Sequence, residues 1–391
     1  MQKLAIITTH PIQYNAPWFK LLSERNHISV KVFYTWGQLA SSNKYDPGFG
    51  KNIVWDIPLL DGYDFTFVNN ISKDPGSHHF KGIDNPSLIS EIGQWDPDAI
   101  LVFGWCFKSH LKILRYYKGK KTILFRGDSN LIDIQNGFSV KNILRKIFLK
   151  WVYNYIDIAL YVGSANKAYF KKYGLRECQL KLAPHAIDND RFSNIAFNYN
   201  KASLDLRKQL GIEASDLVLL FAGKMEEKKN PFFFIDILNA ITDERLKVIF
   251  VGSGLLRTEL LLAASKDKRI IVLDFQNQLN MPIIYRLADI FILPSKGPGE
   301  TWGLALNEAM ACGKVVVASN KTGGAQDLID NNNNGFLIDI NNNTNLISFI
   351  RQSLNDKNLL LDMGKKSSLK IKEFTFDGIV KCIETIMRNL K

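Results

Sequence analysis

The stretch Leu293–Gly313, LPSKGPGETWGLALNEAMACG, constrains this chain more than any other. It begins as the end of an apolar run, Ala288 to Leu293, passes a loop holding Gly297, Pro298 and Gly299, and closes as a short helix. A buried strand that feeds a loop and then a helix is the building unit of an α/β layer. The glycine-bearing loop presents free backbone N–H groups beside the positive end of a helix dipole, which suits phosphate. Two carboxylates frame it, Glu300 at the helix mouth and Glu308 roughly two turns inside. A carboxylate beside such a site accepts hydrogen bonds from hydroxyls, as sugars and ribose supply. A loop acid and a solvated helix acid would explain any lone pair of glutamates, so the flanking residues have to decide.

The same strand–loop–helix unit recurs along the chain. In the first half, apolar runs at Leu4–Thr8, Val30–Tyr34, Ala99–Phe103, Thr122–Phe125, Ile158–Val162 and Leu180–Ala183 read as buried strands, with helical patterns between most of them. That alternation predicts a parallel sheet, whose ligands gather at the carboxyl ends of its strands. Those ends carry His10, Gln13 and Asn15, then Trp105 to His110, then Arg126, Gly127, Asp128 and Ser129, then Gly163 and Ser164, then His185. Plainer readings exist: His10 bonding its own loop, and His110 solvated at a helix start. His78 and His79 stand together in a polar loop without acids at ligand spacing, so no metal site is expected. The periodicity lapses in the Asn-rich stretch near 192–203, a linker, and resumes with the strand Leu217–Gly223, KMEEKKNP and an apolar helix.

With 391 residues the chain is long enough for two cores. Its 46% hydrophobic and 23% charged residues describe a folded protein rather than a disordered one. The N-terminus lacks the apolar length of a signal peptide, and no run reaches the ~18 residues of a membrane span. Four scattered cysteines, Cys106, Cys178, Cys312 and Cys382, are expected as reduced, mostly packed thiols of a cytoplasmic protein. The net charge of +12 fits anionic nucleotides or an anionic membrane face; no nucleic-acid-binding signature accompanies it, so nucleic acid is not an expected partner. Between 139 and 156, Lys141, Arg145, Lys146 and Lys150 alternate with Ile143, Leu144, Ile147, Phe148 and Trp151 at helical spacing. Such a basic amphipathic helix can lie on a bilayer or be an ordinary packed helix.

ETWGLALNEAMACGKVVVAS (Glu300–Ser319), GGAQDLID (Gly323–Asp330) and NGFLID (Asn334–Asp339) together resemble the signature of the family-four retaining glycosyltransferases. So does the Gly223-Lys224…Lys229-Asn230-Pro231 segment, and the order of Gly252 and the loop Phe275 to Gln278 is similar to the family pattern. The resemblance is strongest from Leu217 to Asp339. It implies the GT-B architecture: two Rossmann-like parallel-sheet domains facing across a cleft, here 1–193 for the acceptor and 194–373 for the nucleotide sugar. Residues 374–391 would form a helix returning to the first domain.

The implied reaction is transfer of a sugar from a nucleoside-diphosphate donor to a hydroxyl of a glycan or lipid-linked acceptor, with retention, as in surface polysaccharide or glycolipid synthesis. Lys224 and Lys229 would neutralise the diphosphate, Gly223 and Gly252 would border it, and Phe275 and Gln276 would meet the base. Glu300, with the backbone at Thr301, Trp302, Gly303 and Leu304, would orient the sugar, and Glu308 would hold the ribose. Many family members carry His–Asp after the strand that ends here at Arg126; ArgGlyAsp departs from that. Asp128 aligns with the Asp and is the candidate acceptor base, Arg126 a candidate for the phosphate, and His10 or His110 a candidate for the missing imidazole. His185 would line the cleft. No cofactor and no metal are expected, and peripheral contact with the cytoplasmic membrane face is expected through 139–156. A nucleotide-sugar epimerase of the same architecture and a non-catalytic nucleotide-sugar-binding relative remain as alternatives.

Overall fold

Runs such as Leu4–Ile7 and Leu217–Leu220 are completely buried along their length, so both faces of their sheets must be covered by helices. The computed structural model describes residues 1–36, 44–46, 48–132, 134, 139–194 and 198–390. These residues form two units: Met1–Lys44, Pro58–His185 and Phe376–Lys391 make the first, and Tyr45–Ile57 with Ala186–Thr375 the second. The change of unit thus falls at Ala186, ahead of the expected linker, and the short stretch Tyr45–Ile57 leaves the half to which its position in the chain assigns it. The stretch expected as a linker also begins the helix Tyr199–Gln209; residues 195–197 lie outside the described ones.

The strands run β1 (Lys3–Thr8), β2 (Ser29–Tyr34), β3 (Lys44–Asp46), β4 (Lys51–Ile53), β5 (Asp64–Phe67), β6 (Ala99–Phe103), β7 (Thr122–Arg126), β8 (Ile158–Tyr161) and β9 (Leu180–Leu182). Seven form one sheet in the order β5-β2-β1-β6-β7-β8-β9, while β3 and β4 pair apart as a ribbon. Every pair in the seven-stranded sheet is parallel, as the alternation with helices predicts. Its core gathers Ile7, Phe33, Ile100, Val102, Phe125, Val152 and Phe170. The last helix, Phe376–Arg388, joins this unit through charge. Arg25 bonds Asp377 and donates to Glu384 at 3.2 Å, and Glu384 also meets the His27 ring at 2.9 Å. Because Glu384 is buried, those partners are what make its carboxylate tolerable there.

The second unit holds β10 (Leu217–Lys224), β11 (Leu246–Ser253), β12 (Ile270–Leu273), β13 (Ile290–Leu293), β14 (Val315–Ser319) and β15 (Gly335–Ile338). They too are all parallel, in the order β12-β11-β10-β13-β14-β15. Strand order reverses at β10, whose neighbours are β11 on one side and β13 on the other. In open α/β sheets ligands bind beside that reversal, at the carboxyl ends. Lys224 ends β10, and Glu300 lies in the loop after β13.

Candidate functional site

At the reversal the loops after β10 and β13 are tied together. The Lys296 N–H donates to the Lys228 carbonyl at 2.8 Å. Lys229 bonds the Glu300 carboxylate directly, and Ser295 Oγ donates to the same oxygen at 2.9 Å. With only 11% of its side chain exposed, Glu300 is held where the ion pair is poorly screened. Gly303 caps the helix Leu304–Ala311 at φ +94, and a Cβ there would stand 2.8 Å from Leu293 Cδ2 and Thr322 Cγ2. Only glycine combines that backbone with that space. The glycines Gly323 and Gly324 donate their N–H groups to the carbonyls of Glu300 and Trp302, each at 2.9 Å. A Cβ on Gly324 would run into Trp302 at 2.7 Å, while the indole N–H of Trp302 donates to Asn307 at 2.8 Å. The Glu300–Gly303 backbone is thereby fixed.

The other expected donor-site residues have different surroundings. Glu308 is buried and accepts from the Tyr285 hydroxyl at 2.7 Å. Lys224 pairs at 2.8 Å with Asp46, a residue from the Tyr45–Ile57 stretch that no sequence pattern singled out. Phe275 packs its ring edge on Phe49 with centroids 4.9 Å apart, with the Lys51 ammonium 5.0 Å from its centre. Gln276 donates to the Asp274 carbonyl at 3.2 Å and accepts from Asn280 at 3.3 Å. Gly223 and Gly252 lie side by side at φ +152 and +143, and a Cβ on Gly252 would meet the Gly223 carbonyl at 2.0 Å.

In the first unit His110 is neither solvated nor turned to a ligand. It is fully buried, its Nδ1 facing the Phe103 carbonyl at 2.8 Å and its Nε2 the Thr35 hydroxyl at 2.9 Å. A carbonyl only accepts, so the proton of the neutral ring sits on Nδ1. Burial pushes its pKa down to about 4. Arg126 is likewise occupied, donating to the carbonyls of Ala183 at 2.7 Å and Pro184 at 3.2 Å; it fastens the end of β7 to the loop carrying His185. That fastening brings His185 Nε2 to 3.9 Å from Asp128 Oδ2. Burial and the Arg126 charge hold the His185 pKa below its ordinary value, against the pull of Asp128. So His185 supplies an imidazole beside Asp128, while both ring nitrogens of His110 are taken up by Phe103 and Thr35. His10 bonds Thr9 at 2.9 Å and meets Trp36 edge-on, and Gln13 is half-buried in the turn after β1.

Residues 203–370 match the profile of the family described as Glycosyl transferases group 1. These residues, within the second unit, are a glycosyl transferases group 1 domain. A similar protein is the Escherichia coli UDP-Gal:α-D-GlcNAc-diphosphoundecaprenol α-1,3-galactosyltransferase, 26% identical over 310 residues, 73% of this chain and 76% of that one. The D-inositol 3-phosphate glycosyltransferase of Corynebacterium jeikeium is 26% identical over 232 residues, 56% of this chain but only 54% of its own length. Among solved structures, Anabaena HepE in complex with UDP and glucose shares the fold with a TM-score of 0.69 at 17% identity, both chains covered at 100%. Its GT-B fold is the one described above: two units, each a parallel sheet between helices.

Outside the group 1 domain, the helix Val140–Tyr153 buries only Leu149, Val152 and Tyr153. At 100° per residue, Val140, Ile143, Leu144, Ile147, Phe148 and Trp151 fill a continuous arc of about 140° on the opposite side. All six are exposed, Leu144 by 61% and Ile147 by 62%. Lys141 and Arg145 line one border of that arc, Lys146 and Lys150 the other, and all four are exposed. Among the described residues no helix is long and apolar enough to cross a membrane. Two further expectations need correction. His78 and His79 do have an acid partner, Asp74, whose Oδ2 lies 3.1 and 3.2 Å from their Nε2 atoms, because the loop folds back over four residues. The cysteines are free, but Cys106 and Cys178 are exposed rather than packed.

Proposed function

We propose that this protein is a retaining glycosyltransferase, moving a sugar from a nucleoside-diphosphate donor to a hydroxyl of a glycan or lipid-linked acceptor. The observation that carries this is the Lys229–Glu300 pair at the strand-order reversal of a group 1 domain. As the sugar departs, the diphosphate gains negative charge, and fixed ammonium groups of Lys229 and Lys224 stabilise it where a divalent cation otherwise would. Donor phosphate draws Lys229 from Glu300, whose carboxylate then accepts from the hydroxyls of the transferred sugar. The rigid backbone from Thr301 to Leu304 supplies N–H groups, and Glu308, through its place on the same helix, supports the ribose. On the acceptor side, Asp128 with His185 receives the hydroxyl proton, the neutral imidazole being the group best suited to take it near pH 7. His10 and Gln13 border the acceptor.

A lipid-linked acceptor is favoured by the exposed apolar arc on Val140–Tyr153 with its two basic borders, which matches an anionic bilayer surface. The relative aligned over 73% of the chain also acts on a diphosphoundecaprenol acceptor. We infer a peripheral position on the cytoplasmic membrane face, in surface polysaccharide or glycolipid synthesis. The test is a panel of nucleotide sugars with and without polyprenyl-diphosphate sugar acceptors, following nucleotide release and the anomeric configuration of the product, with EDTA present throughout. Acceptor-dependent release with retention supports the proposal. Donor conversion without acceptor would instead identify an epimerase, and no conversion a binding protein.

A further inference from the structure

Tyr45–Ile57 is flanked in sequence by segments of the first unit yet belongs to the second. It rests on the loops after three neighbouring strands, β10, β11 and β12. Asp46 Oδ1 accepts from Lys224 Nζ at 2.8 Å, and that ammonium stands 5.2 Å from the centre of the Phe49 ring. Gly48 packs so closely that a Cβ on Gly254 would lie 3.0 Å from its carbonyl oxygen, and one on Gly48 itself would meet the Lys224 side chain. Phe49 meets Phe275. Asn277 donates to the Val54 carbonyl at 2.6 Å, and the Leu279 N–H to the Asp56 carboxylate at 3.1 Å. The stretch therefore covers the carboxyl ends of the strands beside the reversal, where a ligand of this sheet would lie.

Asp46 is anchored as an anion. Although burial pushes its pKa up, the hydrogen bond and charge of Lys224, with the N–H groups of Gly48 and Phe49, hold it below the usual carboxylate range. Its oxygen stands on the ammonium that the donor reading gives to the diphosphate, and chemically it imitates a phosphate oxygen there.

We propose that Asp46 is a built-in competitor for the donor: the Tyr45–Ile57 stretch holds Lys224 with a carboxylate that the donor diphosphate displaces. The proposal rests on the donor-site reading of Lys224. A ligand must bring more negative charge to Lys224 than one carboxylate does, so nucleoside diphosphates are admitted in preference to monophosphates or uncharged sugars. Asp46 thus sets the threshold for donor entry without touching the reacting atoms.

The experiment is calorimetric titration of the full chain with UDP, GDP and ADP, using wild type, Asp46→Asn, Lys224→Gln and the double variant, with Asp46→Ala as a second form of the first change. Asp46 and Lys224 are 28% and 32% exposed, so their pair competes modestly. Asp46→Asn should tighten binding of the accepted nucleotide about three- to fivefold. In the Lys224→Gln background the same change should have no effect, which a merely structural role for Asp46 would not produce. Unchanged or weaker binding by both Asp46 variants, or equal tightening without Lys224, would overturn the proposal. If Lys224→Gln weakens binding and the Asp46 variants do nothing, the donor site stands and only the competitor falls. If neither wild type nor the Asp46 variants bind any of the three nucleotides, the donor reading fails and takes the competitor with it.

Discussion

Exchanging Lys141, Arg145, Lys146 and Lys150 for Gln should release the protein from anionic vesicles while leaving it folded. All four side chains are exposed and border the apolar arc of Val140–Tyr153. Each basic residue near an anionic surface contributes about 1 kcal/mol, so the four together supply about 4 kcal/mol, roughly a thousandfold in partition coefficient at low salt. The apolar arc supplies the rest. Leu144 and Ile147 are about three-fifths exposed, so immersing each should yield roughly 1–2 kcal/mol. A Leu144→Gln, Ile147→Gln variant should therefore lose roughly 2–4 kcal/mol while keeping its salt dependence. The assay is co-sedimentation with phosphatidylcholine vesicles, with and without phosphatidylglycerol, across a salt series. Exposed surface changes of this kind leave stability within about 0.5 kcal/mol, so both variants should melt like the wild type. Equal sedimentation of the wild type and the four-Gln variant would refute the reasoning. So would a large drop in melting temperature, which would mean that this face is packed rather than open.

Glu300→Gln should lower kcat about 10- to 100-fold, the loss of a charge-assisted hydrogen bond to the sugar, with donor KM unchanged or reduced because Lys229 is released to the diphosphate; steady-state kinetics within twofold of wild type would count against it. His110 carries a pKa of about 4 in the folded chain against an ordinary value near 6.5. Its contribution to stability is therefore complete above about pH 6.5 and is lost as pH falls toward 4, about 3 kcal/mol in all. Urea unfolding between pH 4 and 7 should show that slope, and His110→Gln should flatten it. Glu384→Ala leaves Arg25 and His27 without their shared buried carboxylate and should cost about 1–2 kcal/mol after allowing for the exposure of both partners, 23% for Arg25 and 67% for His27, read as a lower urea midpoint. Gly303→Ala forces a side chain into a left-handed position already closed by Leu293 and Thr322, and should cost about 1–3 kcal/mol.

Both strand–helix halves are legible because each buried strand is a continuous apolar run and each crossover helix carries its own period. Phosphate-suited loops are legible for a similar reason: Gly223, Gly303 and the residues after them act through local backbone geometry. What stays hidden depends on partners far along the chain. Asp46 and Lys224 lie in different halves of the sequence, and nothing near Asp46 announces a lysine. His110 follows Lys108 and Ser109, a polar context that points outward; tertiary packing against Thr35 and Phe103 turns it inward. Arg126 reads as a phosphate ligand by its place at a strand end, yet two backbone carbonyls needed a donor more. The partnership of Asp128 with His185 follows from β7 and β9 ending at the same edge of one sheet, which only the strand order reveals.

The backbone passes from one unit to the other four times, at 44/45, 57/58, 185/186 and 375/376. No single cut in the gene can therefore liberate either half intact. A fragment stopped at 185 would lack the closing helix, stranding Arg25 and His27 without Glu384, and one begun at 186 would leave Lys224 bare of its carboxylate. Isolating the nucleotide half would take a transplant: the stretch from 45 to 57 supplied as a separate peptide, or spliced onto an end of 186–375.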